Sequence, residues 1–127
     1  MDISETQNVP SVIITESNGG QVSFSLDSLD TINILGLSFS LQFENLDINN
    51  KPYTVTIDPS SPGGGRVGIS SENGSPGEIQ TSSMFEDPNQ VFTVNVSNGG
   101  DYTLTLTTTQ KGRKVRFDPT LKISSSS

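Results

Sequence analysis

Few residues of this chain have side chains suited to catalysis, and almost all of them are carboxylates. The sequence contains no histidine and no cysteine, the commonest general base and the commonest strong nucleophile of enzymes. Two acidic pairs are left, Glu86 with Asp87 and Asp27 with Asp30. Strand neighbours point to opposite faces and the second pair falls in a turn, so neither pair has the opposed carboxylates of a glycosidase. The residue types therefore predict a protein that is not an enzyme.

Motifs for cofactors and metals are present only as fragments. Gly63, Gly65 and Gly68 match the G-x-G-x-x-G dinucleotide pattern, but the residues that follow cannot form the helix whose N-terminus would face the pyrophosphate. The stretch ENLDINN at 44–50 gathers oxygen ligands suited to calcium, yet it lacks the ligand order of an EF-hand and is typical of an Asn-rich hairpin turn. We therefore expect no cofactor and no metal site.

Charge is distributed unevenly along the chain. Residues 1–110 carry two basic and thirteen acidic residues, a net charge of −11, whereas residues 111–127 carry five basic and one acidic residue, a net charge of +4. An acidic body repels nucleic acid and anionic membranes, so neither is an expected partner. Tryptophan is absent and only two tyrosines are present, which leaves little for the stacking of bases or sugars.

The basic segment has two interpretations. Lys111, Arg113, Lys114 and Arg116 are candidate partner-binding residues, because their charges suit docking on an acidic surface. Alternatively, KGRK is a solvated hairpin tip on a sheet edge, where lysine commonly guards against aggregation. The sequence leaves both interpretations open.

The elements that must position these residues are strands. Alanine is absent, and serine and threonine supply 33 residues between alternating Val, Ile, Leu and Phe, a composition that favours strands over helices. The pattern predicts an all-β fold, an antiparallel β-sandwich of immunoglobulin-like or jelly-roll-like type with about eight to ten short strands. The expected strands cover residues 11–16, 21–27, 37–43, 53–58, 66–71, 77–82, 91–97, 101–109, 114–118 and 121–124.

Local signals predict where the chain changes direction. The apolar positions switch from even to odd between Ile34 and Leu37, so a bulge or a bend that changes sheets is expected at Gly36. Residues 27–33 begin with residues that start helices and could hold one short helical turn, but nothing longer. Asp-Pro pairs, which stop strands, stand at residues 58–59, 87–88 and 118–119.

The tetrapeptide SNGG separates two alternating apolar runs twice, at 17–20 and at 97–100. Asn-Gly in this position indicates a hairpin, because tight turns need residues that tolerate positive φ. The apolar residues of the two strands can share one face of the hairpin only if the loop has three residues. Such a loop contains a glycine in the left-handed conformation and a G1 bulge. The expected registers set Ile14 opposite Phe24 and Val12 opposite Leu26 in the first hairpin, and Val96 opposite Tyr102, with positive φ at Gly100, in the second.

One domain is expected to account for most of the chain. Residues 1–10 are interpreted as an N-terminal arm, residues 11–124 as a single β-sandwich domain and residues 125–127 as a polar tail. The Gly-rich stretch 59–77 is expected to be a loop with a short strand inside it. The first residues lack the features of a secretory signal, and no apolar stretch approaches the ~20 residues of a membrane span, so a soluble protein is expected.

Together these features resemble the immunoglobulin-like head decoration, or cement, proteins of tailed phages. The resemblance is carried by the two SNGG hairpins, placed where the A–B and F–G hairpins of such a sandwich lie, by the polar arms and by the missing signal segment. It implies a non-enzymatic structural protein on the virion surface, which binds and stabilises the assembled capsid through the major capsid protein or another virion subunit, alone or as a homo-oligomer. The alternative is an adhesive or receptor-binding β-sandwich module that contacts a glycan or a host protein through loop 59–77.

Overall fold

The structure, a computed structural model, describes residues 9–47, 51–60, 64–71, 81–110 and 113–124. These residues form eleven strands: β1 Ser11–Glu16, β2 Gln21–Ser25, β3 Ile32–Leu35, β4 Ser38–Glu44, β5 Tyr53–Pro59, β6 Val67–Ser71, β7 Ser82–Phe85, β8 Val91–Val96, β9 Gly100–Gln110, β10 Arg113–Phe117 and β11 Thr120–Ser124. Within the described ranges no helix is long and apolar enough to cross a membrane. The predicted N-terminal arm up to residue 8 and the tail at 125–127 lie outside these ranges.

The strands form two sheets that pack face to face, which confirms the predicted all-β sandwich. Sheet A has the order β2-β1-β4-β8-β6, and sheet B has the order β3-β11-β9-β5-β7, with β10 paired to β9 beside this path. All described pairings are antiparallel except that between β3 and β11, which is parallel. Antiparallel sheets with one buried face explain why apolar and polar residues alternate along most strands.

The core lies between the two sheets and follows directly from that alternation. In sheet A, β1 buries Val12 and Ile14 completely; in sheet B, β9 buries Tyr102, Leu104 and Leu106. The residues between them, Ile13 in β1 and Thr103 and Thr105 in β9, face outward and are half-buried. Burial of a large apolar side chain contributes about 1.5–3 kcal/mol, so these inner faces supply the main stabilising free energy.

The first SNGG forms a hairpin between β1 and β2, as expected, but in a different register. The loop consists of Ser17, Asn18 and Gly19, and Gly19 has a φ of 93°. Two backbone hydrogen bonds close it: the Gly19 N–H donates to the Glu16 carbonyl, and the Glu16 N–H donates to the Gly20 carbonyl. The expected loop started one residue later. In the structure, Val12 lies opposite Phe24 and Ile14 opposite Val22. The parity rule could not separate the two registers, since a two-residue shift leaves every side chain on the same face.

The second SNGG does not form the expected hairpin. β8 belongs to sheet A and β9 to sheet B, so the tetrapeptide carries the chain from one sheet to the other. Val96 lies opposite Val67, and the predicted pairing with Tyr102 was wrong. The reason is that β4 and β6 occupy both edges of β8. The predicted positive φ at Gly100 is confirmed, at 145°. Since β8 and β9 do not pair, the chain lacks the F–G hairpin on which the resemblance to decoration proteins partly rested.

The segment around Gly36 confirms the predicted change of sheet and corrects the element before it. β3 lies in sheet B and β4 in sheet A, and Gly36 between them has a φ of 93°. The short helical turn expected within 27–33 was wrong. A turn closed by the Ser28 N–H on the Ser25 carbonyl is followed by β3. The hydrophobic residues of β3 gain more from pairing with β11 and burying Ile34 than an isolated helical turn could provide.

Substitution of Gly36 tests the importance of this bend. Gly36→Val is expected to lower the free energy of unfolding by about 2 kcal/mol, because a β-branched residue at positive φ is strained. Gly36→Asn is the matched control, since asparagine adopts this conformation more readily while its Cβ meets the same neighbour, Ser17 Oγ at 3.3 Å. Urea denaturation followed by circular dichroism measures both variants. Equal losses for Val and Asn would show that steric crowding, and not φ, makes glycine necessary.

Candidate functional site

The carboxylates considered for catalysis mainly support turns. Asp87 accepts the Asn89 N–H on its carboxylate at 2.9 Å, and its carbonyl accepts the Gln90 N–H at 3.0 Å. Asp27 accepts the Ser25 hydroxyl at 2.6 Å. Local bonds of this kind are the usual role of aspartate in turns. The predicted turn position of Asp27 is therefore confirmed, whereas Asp87 lies in a turn after the end of β7 and not on a strand as expected.

The stretch considered as a calcium site connects β4 of sheet A to β5 of sheet B, so the Asn-rich hairpin turn predicted there was wrong. Asn45 has a left-handed φ of 63°, which asparagine tolerates better than most residues. The Asp47 carbonyl accepts the Tyr53 hydroxyl at 2.6 Å, which ties the segment to the start of β5. Residues 48–50 lie outside the described ranges. Over the part of the chain that the structure describes, no three acidic side chains cluster as metal ligands would.

The basic residues predicted to bind a partner lie on or next to β10. Lys111 is outside the described residues, and Arg113 and Lys114 are described by their backbone alone, within β10. Arg116 lies opposite Thr107 of β9 with an exposed side chain, and its Nε is 3.5 Å from Asp118 Oδ2. Both partners of this ion pair are more than half exposed, so it adds only about 0–1 kcal/mol. The Arg116 guanidinium thus remains accessible to another molecule.

The position of β10 at a sheet edge, paired antiparallel with β9, agrees with the second interpretation of KGRK, although residues 111–112 lie outside the described ranges. The register of β10 against β9 continues unchanged into β11, with Phe117 opposite Leu106 and Thr120 opposite Thr103. The Asp-Pro pair at 118–119 stands at the junction. Beyond it, β3 covers the outer edge of β11. Among the described strands, none pairs with the outer edge of β10.

A groove runs beside this edge, between the β2–β3 connection and the junction of β10 with β11. Its volume is about 320 Å³, and its lining residues are Leu26, Asp27, Ser28, Leu29, Arg116, Phe117, Asp118, Pro119 and Thr120. Leu29 is fully exposed, Leu26 is buried, and Phe117 packs partly against the core. The signal in the sequence was a single leucine inside the polar stretch DSLDT, which the helical interpretation of 27–33 obscured. We call the outer edge of β10 together with this groove the β10 edge site.

The loop proposed as the contact surface of an adhesive module is only partly described. Within 59–77, the structure shows β6 as the predicted short strand, and residues 61–63 and 72–77 lie outside the described ranges. Gly65 is packed tightly against the second SNGG, where the Arg66 N–H donates to Ser97 Oγ at 2.8 Å. Gly63 of the G-x-G-x-x-G match is outside the described residues, and Gly68 lies in β6, so a strand, not a helix, follows the glycines.

Comparison with known proteins adds little to this description. No protein-family model matches the chain, and no curated protein matches it. Among solved structures, the chain is similar to the crystal structure of the S-layer protein SbsC domains 4 and 5, with 11% sequence identity over 91% of this chain and a TM-score of 0.32. The chain spans 65% of the length of that structure. A similarity of this strength bears on neither family nor function.

Proposed function

We propose that this chain is a non-enzymatic structural protein that binds and stabilises an assembled protein shell, as a decoration or cement protein on the surface of a virus capsid. The observation that carries the proposal is the β10 edge site. It joins an accessible sheet edge, a groove with an exposed leucine, and the basic segment of a chain that is otherwise strongly acidic. The partner is the major capsid protein or another virion subunit.

The charge of the basic segment and the repeated binding sites of an assembled shell together favour binding. A single exposed ion pair contributes little, but a net charge of +4 in residues 111–127 attracts an acidic patch as a group. An assembled shell presents the same patch many times, so modest contacts of each copy suffice to cover it. Apolar contact at Leu29 would add an attraction that salt does not screen.

The test is the occupancy of purified particles. Quantitative mass spectrometry of washed particles should find this chain at a fixed ratio to the capsid subunit. The double variant Arg113→Glu, Lys114→Glu should lower that occupancy by about tenfold, because two attractive charges become repulsive. Occupancy of the wild type should also fall as salt rises past the ~8 Å screening length of physiological buffer.

A matched control reverses the two cations outside the basic segment, with Lys51→Glu and Arg66→Glu, and should leave occupancy unchanged. Both side chains are exposed; Arg66 precedes β6 of sheet A, and Lys51 precedes β5, which lies on the other side of β9 from β10. Absence of the chain from washed particles, or equal loss in both double variants, would contradict the proposal. Tight binding of the isolated domain to a glycan or a host protein, with no binding to particles, would instead support an adhesive module.

A further inference from the structure

We propose that the β10 edge site binds an extended segment of its partner as an added strand, and that this segment alternates acidic and apolar residues. The inference deepens the proposed function and rests on it only for the identity of the partner. The geometry that leads to it lies in three features of the described residues: the backbone direction of β10, the groove beside it, and the charge of its outer face.

The backbone of β10 offers hydrogen-bonding groups to a new strand. The Leu104 N–H donates to the Pro119 carbonyl at 3.0 Å, so these residues form a hydrogen-bonded pair of the antiparallel ladder. Such pairs alternate with pairs that make no bond to each other. Arg116 and Thr107 lie three positions from Pro119 and Leu104 in the same register, so they form a pair without hydrogen bonds to each other. The N–H and C=O of Arg116 therefore point away from β9, toward the open edge.

The space beside β10 is aligned with an existing strand. β3 lies along the outer edge of β11 and begins at Ile32, opposite Leu121. Because β10 and β11 share one register against β9, the place next to β10 continues the line of β3. The chain leaves this line before Ile32, where the β2–β3 connection forms the opposite wall of the groove. A strand added here would complete the sheet without displacing a described element.

The two faces of the added strand would meet different surroundings. On the outer face it would lie beside the exposed Arg116 guanidinium, which favours acidic side chains. On the inner face it would meet the groove, which Asp27 and Asp118 also line and in which Phe117, Leu29 and buried Leu26 offer contact to apolar side chains. Alternation with a period of two places acidic and apolar residues on these faces in turn. Strand addition of this kind takes affinity from the main chain and specificity from alternate side chains.

A second copy of this chain is a poorer occupant of the same edge. Pairing of two β10 strands would bring two copies of the sequence RKVRF side by side, with like charges on adjacent strands. Like charges opposite one another in a sheet are destabilising. The charge of β10 thus favours an acidic partner segment and disfavours self-association.

The test uses a short synthetic peptide of alternating glutamate and valine, together with a second peptide that is N-methylated along one backbone edge. Fluorescence anisotropy should show binding of the first peptide, weakened by about tenfold or more in the second, because N-methylation removes main-chain donors and blocks strand pairing. Hydrogen exchange at the Arg116 amide should slow when the first peptide binds. Equal affinity for both peptides, or an unprotected Arg116 amide, would overturn strand addition while leaving occupancy of particles, and so the proposed function, intact.

Two variants at one position separate backbone from charge. Arg116→Ala removes the cation, whereas Arg116→Pro removes both the cation and the backbone N–H. Edge strands tolerate proline at a position whose N–H does not bond to the neighbouring strand, here β9. The proline variant should bind the unmethylated peptide several-fold more weakly than the alanine variant. Equal affinities would contradict the proposal. Analytical ultracentrifugation of the full chain should show a monomer, and a dimer abolished by Arg116→Pro would assign the edge to a second copy instead.

Discussion

Phe92→Ala is expected to lower the free energy of unfolding by about 3–5 kcal/mol, the range measured for removing a buried aromatic side chain. Phe92 is fully buried in β8, and its ring lies 5.0 Å from that of Phe85 and 6.4 Å from that of Phe43, edge-on to both. Phe85 belongs to sheet B and also stacks on Tyr53, at 5.6 Å. The Phe92 ring thus joins the two sheets, and its loss leaves a cavity that the surrounding rings cannot fill.

Urea denaturation followed by circular dichroism measures this loss. The matched control is Met84→Ala, because Met84 lies in β7 next to Phe85 but is largely exposed, so its change should stay within about 0.5 kcal/mol. Phe92→Leu provides a smaller, graded loss if the alanine variant does not fold. A loss below about 1 kcal/mol for Phe92→Ala would mean that the aromatic cluster does not hold the sheets together.

Gly65→Ala is expected to lower the free energy of unfolding by about 2–3 kcal/mol, through crowding of the second SNGG. A Cβ at Gly65 would lie 2.6 Å from Asn98 Oδ1, 2.6 Å from the Tyr102 hydroxyl and 2.8 Å from Ser97 Oγ. The Tyr102 ring is buried and its hydroxyl donates to the Asn98 carbonyl, so it cannot move aside. The chain crosses between the sheets at this point, and crowding there strains the link between them.

A double-mutant cycle identifies the source of this loss. Tyr102→Phe removes the hydroxyl oxygen that an alanine at position 65 would meet, so Gly65→Ala should cost less in that background than in the wild type. Gly100→Ala is the control for crowding, because a Cβ at Gly100 meets nothing within 4 Å. Any loss of stability in that variant comes from the φ of 145°, which an alanine adopts only with strain. Additive losses for Gly65→Ala and Tyr102→Phe would show that the tyrosine hydroxyl is not the obstacle.

For the candidate site, the sequence showed the basic residues but not the groove beside them. The basic segment was visible as charge, and β10 was expected at 114–118 from its apolar spacing, close to Arg113–Phe117 in the structure. The lysines of KGRK allowed a sheet edge as one interpretation, but nothing local showed that Leu29 would stand beside β10. Whether a strand is central or on an edge depends on which other strands reach it, and β3, which covers β11, was not predicted at all.

For the fold, the sequence by itself determined which residues face the core, because alternation is a local property of each strand. Val12 with Ile14 and Leu104 with Leu106 are buried as the pattern required, and glycines that need positive φ stand at residues 36 and 100. Only the tertiary structure decided which strands pair. The same SNGG closes a hairpin at Gly19 and crosses between sheets at Gly100, because β2 had a free edge of β1 to join, whereas both edges of β8 were already occupied. Strands from the whole chain compete to pair with each strand edge, so no short stretch of sequence can predict which strand will pair there.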